Sequence, residues 1–233
     1  MRETRAILFD LDDTLYPYRA FVRSGFREVG RRLAEERGLP ARSVLRVLRR
    51  ALVGGERGRE LQALCTRFSL PASLVPSLAA VIREHTPLLR LPRASMRVLS
   101  TLRDGWRIGI LTNGSPAIQR RKIEALGLEP LVDVVIFASE HGDGTGKPDP
   151  HAFHAALHRL GVVPAQTVYV GDDRRADIEG ATAVGMSTIH LLARQDSACD
   201  CGASLCGVHI SELAQVPEIA DQLVSMRTER HVF

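Results

Sequence analysis

Five short apolar runs recur along the chain, at residues 5–9 and at WRIGILT (106–112), VDVVIFA (132–138), TVYVGD (167–172) and STIHLL (187–192). Their length and β-branched content predict buried strands. Around and between the later runs the apolar positions take a helical period, in RASMRVLSTLRDG, SPAIQRRKIEALGL, DPHAFHAALHRLG and RRADIEGATAVG. Strands that alternate with helices of this length predict a doubly wound α/β core, a parallel sheet with crossover helices on both faces. Residues 16–88 depart from the alternation. There the pattern is helical throughout, broken at RGLPA, VGGERG and SLPAS, which predicts about four helices inserted directly after the first strand. The expected division is a core of residues 1–15 and 89–233 and a helical insertion of residues 16–88. No internal repeat or low-complexity segment interrupts it.

Charge follows the same division. Residues 16–88 hold 14 arginines and 6 glutamates with no lysine or aspartate, so this segment carries +8 and the rest of the chain −4 of the net +4. A solvated, helix-promoting surface accounts for most of these arginines, and the small overall excess falls short of a nucleic-acid signature. With 233 residues, 45% of them hydrophobic, the chain is long enough for one α/β core and an insertion. No apolar run reaches the roughly 20 residues of a membrane span. The stretch MRETRAILFD meets an aspartate before a signal-like run develops, so a soluble cytoplasmic protein is expected. Four cysteines, unevenly spread, do not suggest a secreted disulfide scaffold.

The strand ends add chemistry. In a doubly wound sheet, ligands sit beyond the carboxyl ends of the strands, and every such end here is polar. The first run ends in Asp10, Asp12 and Asp13, with Thr14 after them; the second in Thr112, Asn113, Gly114 and Ser115. The third leads into the glycine-rich EHGDGTGKPDP with Lys147, and the fourth into GDDRRAD with Asp172, Asp173 and Asp177. Three aspartates within four residues repel one another, and a site that keeps them ionised usually supplies a cation. TNGS is also an ordinary turn into a helix, with Ser115 as its cap and Pro116 at its first position. His151, His154 and His158 recur at helical spacing and read as a solvated or half-buried face. Cys199, Cys201, Cys206 and His209 are a donor set for tetrahedral zinc, but C-x-C-x4-C-x2-H departs from the common ligand spacings, and no zinc ligand is assigned there.

Taken together, D-x-D-x-T at Asp10 to Thr14, T-N-G at Thr112 to Gly114, K-P-D-P at Lys147 to Pro150 and G-D-x4-D at Gly171 to Asp177 resemble the haloacid dehalogenase superfamily across residues 5–192. The insertion resembles that superfamily's helical C1-type cap. The resemblance implies a Rossmann-like parallel sheet of order 3-2-1-4-5, with a cap that closes over the site. It implies that Asp10 attacks phosphorus to form an aspartyl-phosphate, and that Asp12 acts as general acid and then base. Thr112 and the Asn113 backbone would bind phosphoryl oxygens, and Lys147 would balance charge. Magnesium would sit on the Asp10 carboxylate, the Asp12 backbone carbonyl and Asp172, with Asp177 and Asp173 in support. Specificity would lie in the cap, which Tyr16, Tyr18, Arg19 and Arg23 begin. The expected activity is magnesium-dependent hydrolysis of a small phosphorylated metabolite, of nucleotide or sugar phosphate class, by a monomer or homodimer without nucleic-acid or membrane partners. Three other readings stay open. A phosphomutase shares these residues and differs mainly in its cap. A haloacid dehalogenase uses the same nucleophile on carbon without metal and needs no second acidic residue such as Asp12. A non-catalytic binding or regulatory protein would use the basic insertion for an acidic partner.

Overall fold

The computed structural model describes residues 4–54, 58–192 and 207–230. The chain opens with β1 (Ala6–Phe9), whose four residues are all fully buried. A central parallel strand is covered on both faces, which is why AILF is continuously apolar rather than alternating. Four helices follow: α1 (Tyr18–Arg37), α2 (Ala41–Val53), α3 (Glu60–Arg67) and α4 (Val75–Glu84). The sheet then resumes with α5 (Arg93–Leu102), β2 (Arg107–Thr112), α6 (Pro116–Leu126), β3 (Val134–Phe137), α7 (Pro150–Leu160) and β4 (Thr167–Gly171). A π-helical turn at Arg174–Glu179 runs into the short α8 (Gly180–Ala183), followed by β5 (Ser187–Leu191), β6 (Val208–Ile210) and α9 (Val216–Arg230).

The chain forms two compact units, Met1–Pro17 with Arg90–Phe233, and Tyr18–Leu89. The first is built on a parallel sheet of order β3-β2-β1-β4-β5-β6. On one face Leu8, Leu111, Val134 and Ile136 pack with Phe153, Ala156, Leu157 and Leu160 of α7. Phe153 meets the ring of Tyr169 edge-on, centroids 5.4 Å apart, a favourable aromatic geometry. The expected order 3-2-1-4-5 is therefore present and is extended by one strand. β6 has only three residues, too few to carry a period, and it exists by pairing with β5 from Ile189↔Val208 to Leu191↔Ile210. α9 is not among the expected helices; its buried positions include Val216 and Ala220, one turn apart. Ser115 sits at the N-cap position of α6, but its side chain makes no capping bond, so Pro116 at the first helical position is what remains of that expectation.

The second unit has its own core, with Phe26, Val29 and Leu33 of α1 packed with Val44 and Leu48 of α2 and Leu61 and Leu64 of α3. Positions 26, 29 and 33 lie on one helical face. Exposed positions on α1 pair along the helix, Arg31 with Glu28 and Glu35, and Arg32 with Glu36. Among the described residues no helix is long and apolar enough to cross a membrane.

Leu48 is fully buried, so Leu48→Ala leaves a cavity that its neighbours fill only in part. Its expected cost is about 2–5 kcal/mol, measured as a lower urea midpoint with an unchanged native far-UV spectrum.

Candidate active site

The site begins where β1 stops. Asp10 still belongs to the sheet through its amide, which donates to the Val170 carbonyl at 2.9 Å. Beyond it the backbone turns tightly: Asp13 takes a left-handed φ of 59° and its amide donates to the Tyr16 carbonyl at 2.8 Å. Lys147 reaches this point from the loop after β3. Its backbone is clamped by one side chain, the Asn113 amide, which accepts from Lys147 N at 2.7 Å and donates to Lys147 O at 3.0 Å. Gly146 makes that clamp possible. Its φ is 79°, and a Cβ there would lie 2.6 Å from Asn113 Oδ1.

The Lys147 ammonium is buried and closely surrounded. It lies 2.6 Å from Asp10 Oδ1, 2.7 Å from Asp177 Oδ1, and 2.9 Å from both the Leu111 carbonyl and the Tyr169 hydroxyl. Burial works against its charge, but Asp10, Tyr169 and Asp177 outweigh that and hold the ammonium well above the ordinary lysine range. The Tyr169 hydroxyl is 3.1 Å from the Asp177 carboxylate and from the Leu111 carbonyl, so its single proton serves one of them at a time. Asp177 comes back toward β4 through the π-helical turn, where the amides of Asp177 and Ile178 both meet the Asp173 carbonyl, at 2.9 and 3.3 Å. A Cβ on Gly171 would overlap the Asp177 carboxylate, so the strand must end in glycine for that approach.

Asp12 occupies a second cluster of donors. Lys122 Nζ lies 2.9 and 2.8 Å from its two oxygens, the Tyr16 hydroxyl donates at 2.6 Å and Gln119 Nε2 at 2.9 Å. Gln119 also donates to Thr112 Oγ1 at 2.6 Å. Burial lowers the Lys122 pKa, while Asp12, Asp10 and Asp13 pull it the other way.

Asp10, Asp172 and Asp177 each bring a carboxylate oxygen within 4.8 Å of the others. Asp10 is pushed up to about 7, first by burial and then by repulsion from Asp177 and Asp12, against the pull of Lys147. Asp172 is also pushed up to about 7, by burial and then by Asp177 and Asp13. Lys147 is shared between Asp10 and Asp177, one ammonium for two carboxylates, and Asp172 adds a third, so the three hard oxygen donors carry more negative charge than the lysine balances. That donor set fits a hard divalent cation. Asp173 has a different job in this structure: its side chain accepts from Ala176 N at 2.7 Å and caps the π-helical turn. Thr14 reaches Asp172 Oδ1 at 3.4 Å, and buried His190 places Nε2 2.9 Å from the Asp172 carbonyl.

The strand ends thus gather Asp10, Lys147, Asp172 and Asp177, with Thr112 and Asp12 joined through Gln119. Asn113 serves Lys147 through its side chain. Tyr18, Arg19 and Arg23 lie on α1, in the other unit. His151, His154 and His158 are exposed on α7. Cys199, Cys201 and Cys206 lie outside the described residues; His209, on β6, has its ring centroid 5.3 Å from that of His190, the rings tilted by 48°. The motifs did not point to Tyr169, Gln119 or Lys122. A signal for Lys122 was available: Lys122 and Lys147 are the only two lysines in the chain, beside 29 arginines. A chain that uses arginine for nearly all its positive charge keeps the compact ammonium for these two buried positions.

The family model for haloacid dehalogenase-like hydrolases matches residues 4–185. The chain belongs to this family. Among similar proteins, a glyceraldehyde 3-phosphate phosphatase of Methanopyrus kandleri is 31% identical over 80% of this chain and 83% of its own length. A ribulose-1,5-bisphosphate 5-phosphatase of Halopiger xanaduensis is 33% identical over 79% and 83%. Among solved structures, a haloacid dehalogenase-family phosphatase from Thermococcus onnurineus is 25% identical, with a TM-score of 0.60 over 93% of this chain and 97% of its own. This haloacid dehalogenase-like hydrolase is a phosphatase.

Two measurements test the electrostatics of the hydrolase. A carboxyl raised from 3.8 to about 7 binds more protons folded than unfolded between those values, so its contribution to stability falls as pH rises through that window. Asn at position 172 does not titrate. Without divalent cation, Asp172→Asn should therefore gain melting temperature relative to wild type from pH 5 to pH 8, and a difference constant with pH contradicts the assignment. Asp173→Ala should cost about 1 kcal/mol through the lost cap, read by denaturant melts, with divalent-cation affinity kept.

Proposed function

We propose that this hydrolase removes the phosphoryl group of a small phosphorylated sugar, with Asp10 as nucleophile. The observation that carries the reading is the buried Asp10 carboxylate, 2.6 Å from the Lys147 ammonium at the end of β1, beside a second carboxylate, Asp12, held by its own donors. Asp10 Oδ attacks phosphorus, and the bond to the leaving oxygen breaks as Asp12, in its acid form, hands that oxygen a proton. Water then attacks phosphorus, the bond from phosphorus to Asp10 Oδ breaks to release phosphate, and Asp12 takes a proton back from the water. Both carboxylates end as they began. Lys147, held by Asp177 and Tyr169, balances the charge of Asp10 throughout. The Thr112 hydroxyl and the Asn113 backbone amide donate to phosphoryl oxygens.

Asp10, the Asp12 backbone carbonyl and Asp172 would hold magnesium, with Asp177 in support beside them. Bound there, the ion would offset the repulsion between nucleophile and phosphate and orient the transferring group. The names of the M. kandleri and Halopiger relatives support a short sugar phosphate as the substrate class.

Phosphate release from a panel of sugar phosphates, with magnesium or with chelator, tests the reading. Hydrolysis should require the metal. Asp10→Asn should fall below detection with its fold intact, because an amide is a poor nucleophile of nearly equal size. Asp12→Asn should lose on the order of 10²–10⁴ in rate with magnesium affinity retained. Wild-type turnover by a folded Asp10→Asn protein would refute the mechanism, and an isomerised phosphate ester in place of free phosphate would identify a mutase.

A further inference from the structure

Gln119 lies in the first turns of α6, 2% exposed, and its amide nitrogen faces two acceptors at once, Asp12 Oδ2 at 2.9 Å and Thr112 Oγ1 at 2.6 Å. A carboxylate beside an ammonium only accepts, so the amide nitrogen, and not its oxygen, must face Asp12. The second amide proton then falls to Thr112. That fixes the hydroxyl as an acceptor on this side and leaves its own proton for some other partner. Within the chain the Asn113 carbonyl is a long one, at 3.4 Å. Thr112, 1% exposed at the end of β2, therefore keeps a proton that no short bond among the described residues takes up. Lys122 stands three residues further along the same helix, on the same face, 3% exposed and bonded to both Asp12 oxygens. One face of α6 thus holds both the acid–base carboxylate and the hydroxyl beside it.

We propose that Gln119 is a positioning residue that sets the direction of both hydrogen bonds, keeping Asp12 in place for the leaving oxygen and turning the Thr112 proton toward phosphate. The inference rests on the roles given to Asp12 and Thr112 under the proposed function. Gln119 acts through those two residues, its amide bonded to Asp12 Oδ2 and Thr112 Oγ1. Because a single amide orients both, disturbing it should weaken phosphate binding and proton delivery together.

Inverting the polarity tests this. In Gln119→Glu the side chain keeps its size but cannot donate when ionised, so Thr112 must give its proton to the new carboxylate and Asp12 is repelled. Inorganic phosphate should bind roughly tenfold more weakly by calorimetry, in keeping with the loss of one hydrogen bond to a charged group. KM should rise with it. The kcat should fall more for an alkyl phosphate, whose leaving alkoxide needs the proton of Asp12, than for p-nitrophenyl phosphate, whose leaving group departs without one. Gln119→Met, which removes the donors without inverting them, should move all three readouts the same way by a smaller factor, and it carries the test alone if the Glu variant does not fold. Unchanged phosphate affinity together with an unchanged alkyl-to-aryl ratio in a folded variant overturns the proposal. Phosphate binding is measured independently of turnover. A protein that binds phosphate but hydrolyses no ester, even as wild type, therefore rejects the proposed function rather than the orienting role of Gln119.

Discussion

One ammonium ion organises the centre of this protein. Lys147 brings a single positive charge between the carboxylates of Asp10 and Asp177 where almost no water reaches any of the three. Desolvating such groups costs several kcal/mol per ion, so the arrangement holds only if each remaining proton and lone pair finds a partner. The Leu111 carbonyl and the Tyr169 hydroxyl complete the shell. Much of the local structure can be read as what this requires. Gly146 lets Asn113 grip the Lys147 backbone, Gly171 clears space for Asp177, and the π-helical turn carries Asp177 back onto the strand that precedes it. Removing the ammonium would leave two buried carboxylates facing each other unmatched, at about 3–5 kcal/mol.

The two carboxylates that open the site are held in opposite ways. Asp10 is buried and loses more to desolvation than Lys147 returns, so its proton is bound more tightly than in water. Asp12 is partly exposed and sits among three donor side chains, Tyr16, Gln119 and Lys122. Two acids two residues apart thus meet different environments because the bonding to the sheet ends between them: the Asp10 amide still donates to the Val170 carbonyl, and Asp12 lies in the turn that follows. Position along the backbone, rather than residue type, separates their chemistry.

Much of this was legible in the sequence because strand ends are short and polar against buried apolar runs. AILF followed by DLDDT gives both the strand and the point at which it stops. Tyr169 could not be read in this way: it lies inside TVYVG, where a phenol passes for an aromatic core residue until its hydroxyl is seen beside Lys147. Gln119 and Lys122 lie on a helix whose period assigns them a face but not the partner that face meets. Asp173 misleads for the opposite reason. It neighbours Asp172 in sequence, yet successive residues point apart as a strand gives way to a helix, and it spends its carboxylate on a backbone amide. β6 depends on pairing with β5, a tertiary property that three residues cannot announce.

The scarcity of lysine has a practical side. Because Lys122 and Lys147 are the chain's only two lysines and both are buried at the site, isotopic labelling of lysine side chains would give an NMR spectrum with two signals. One would come from the ammonium beside Asp10 and the other from the ammonium beside Asp12, with no surface lysine to obscure them. The protein carries its own pair of reporters on the two carboxylates whose protonation matters most.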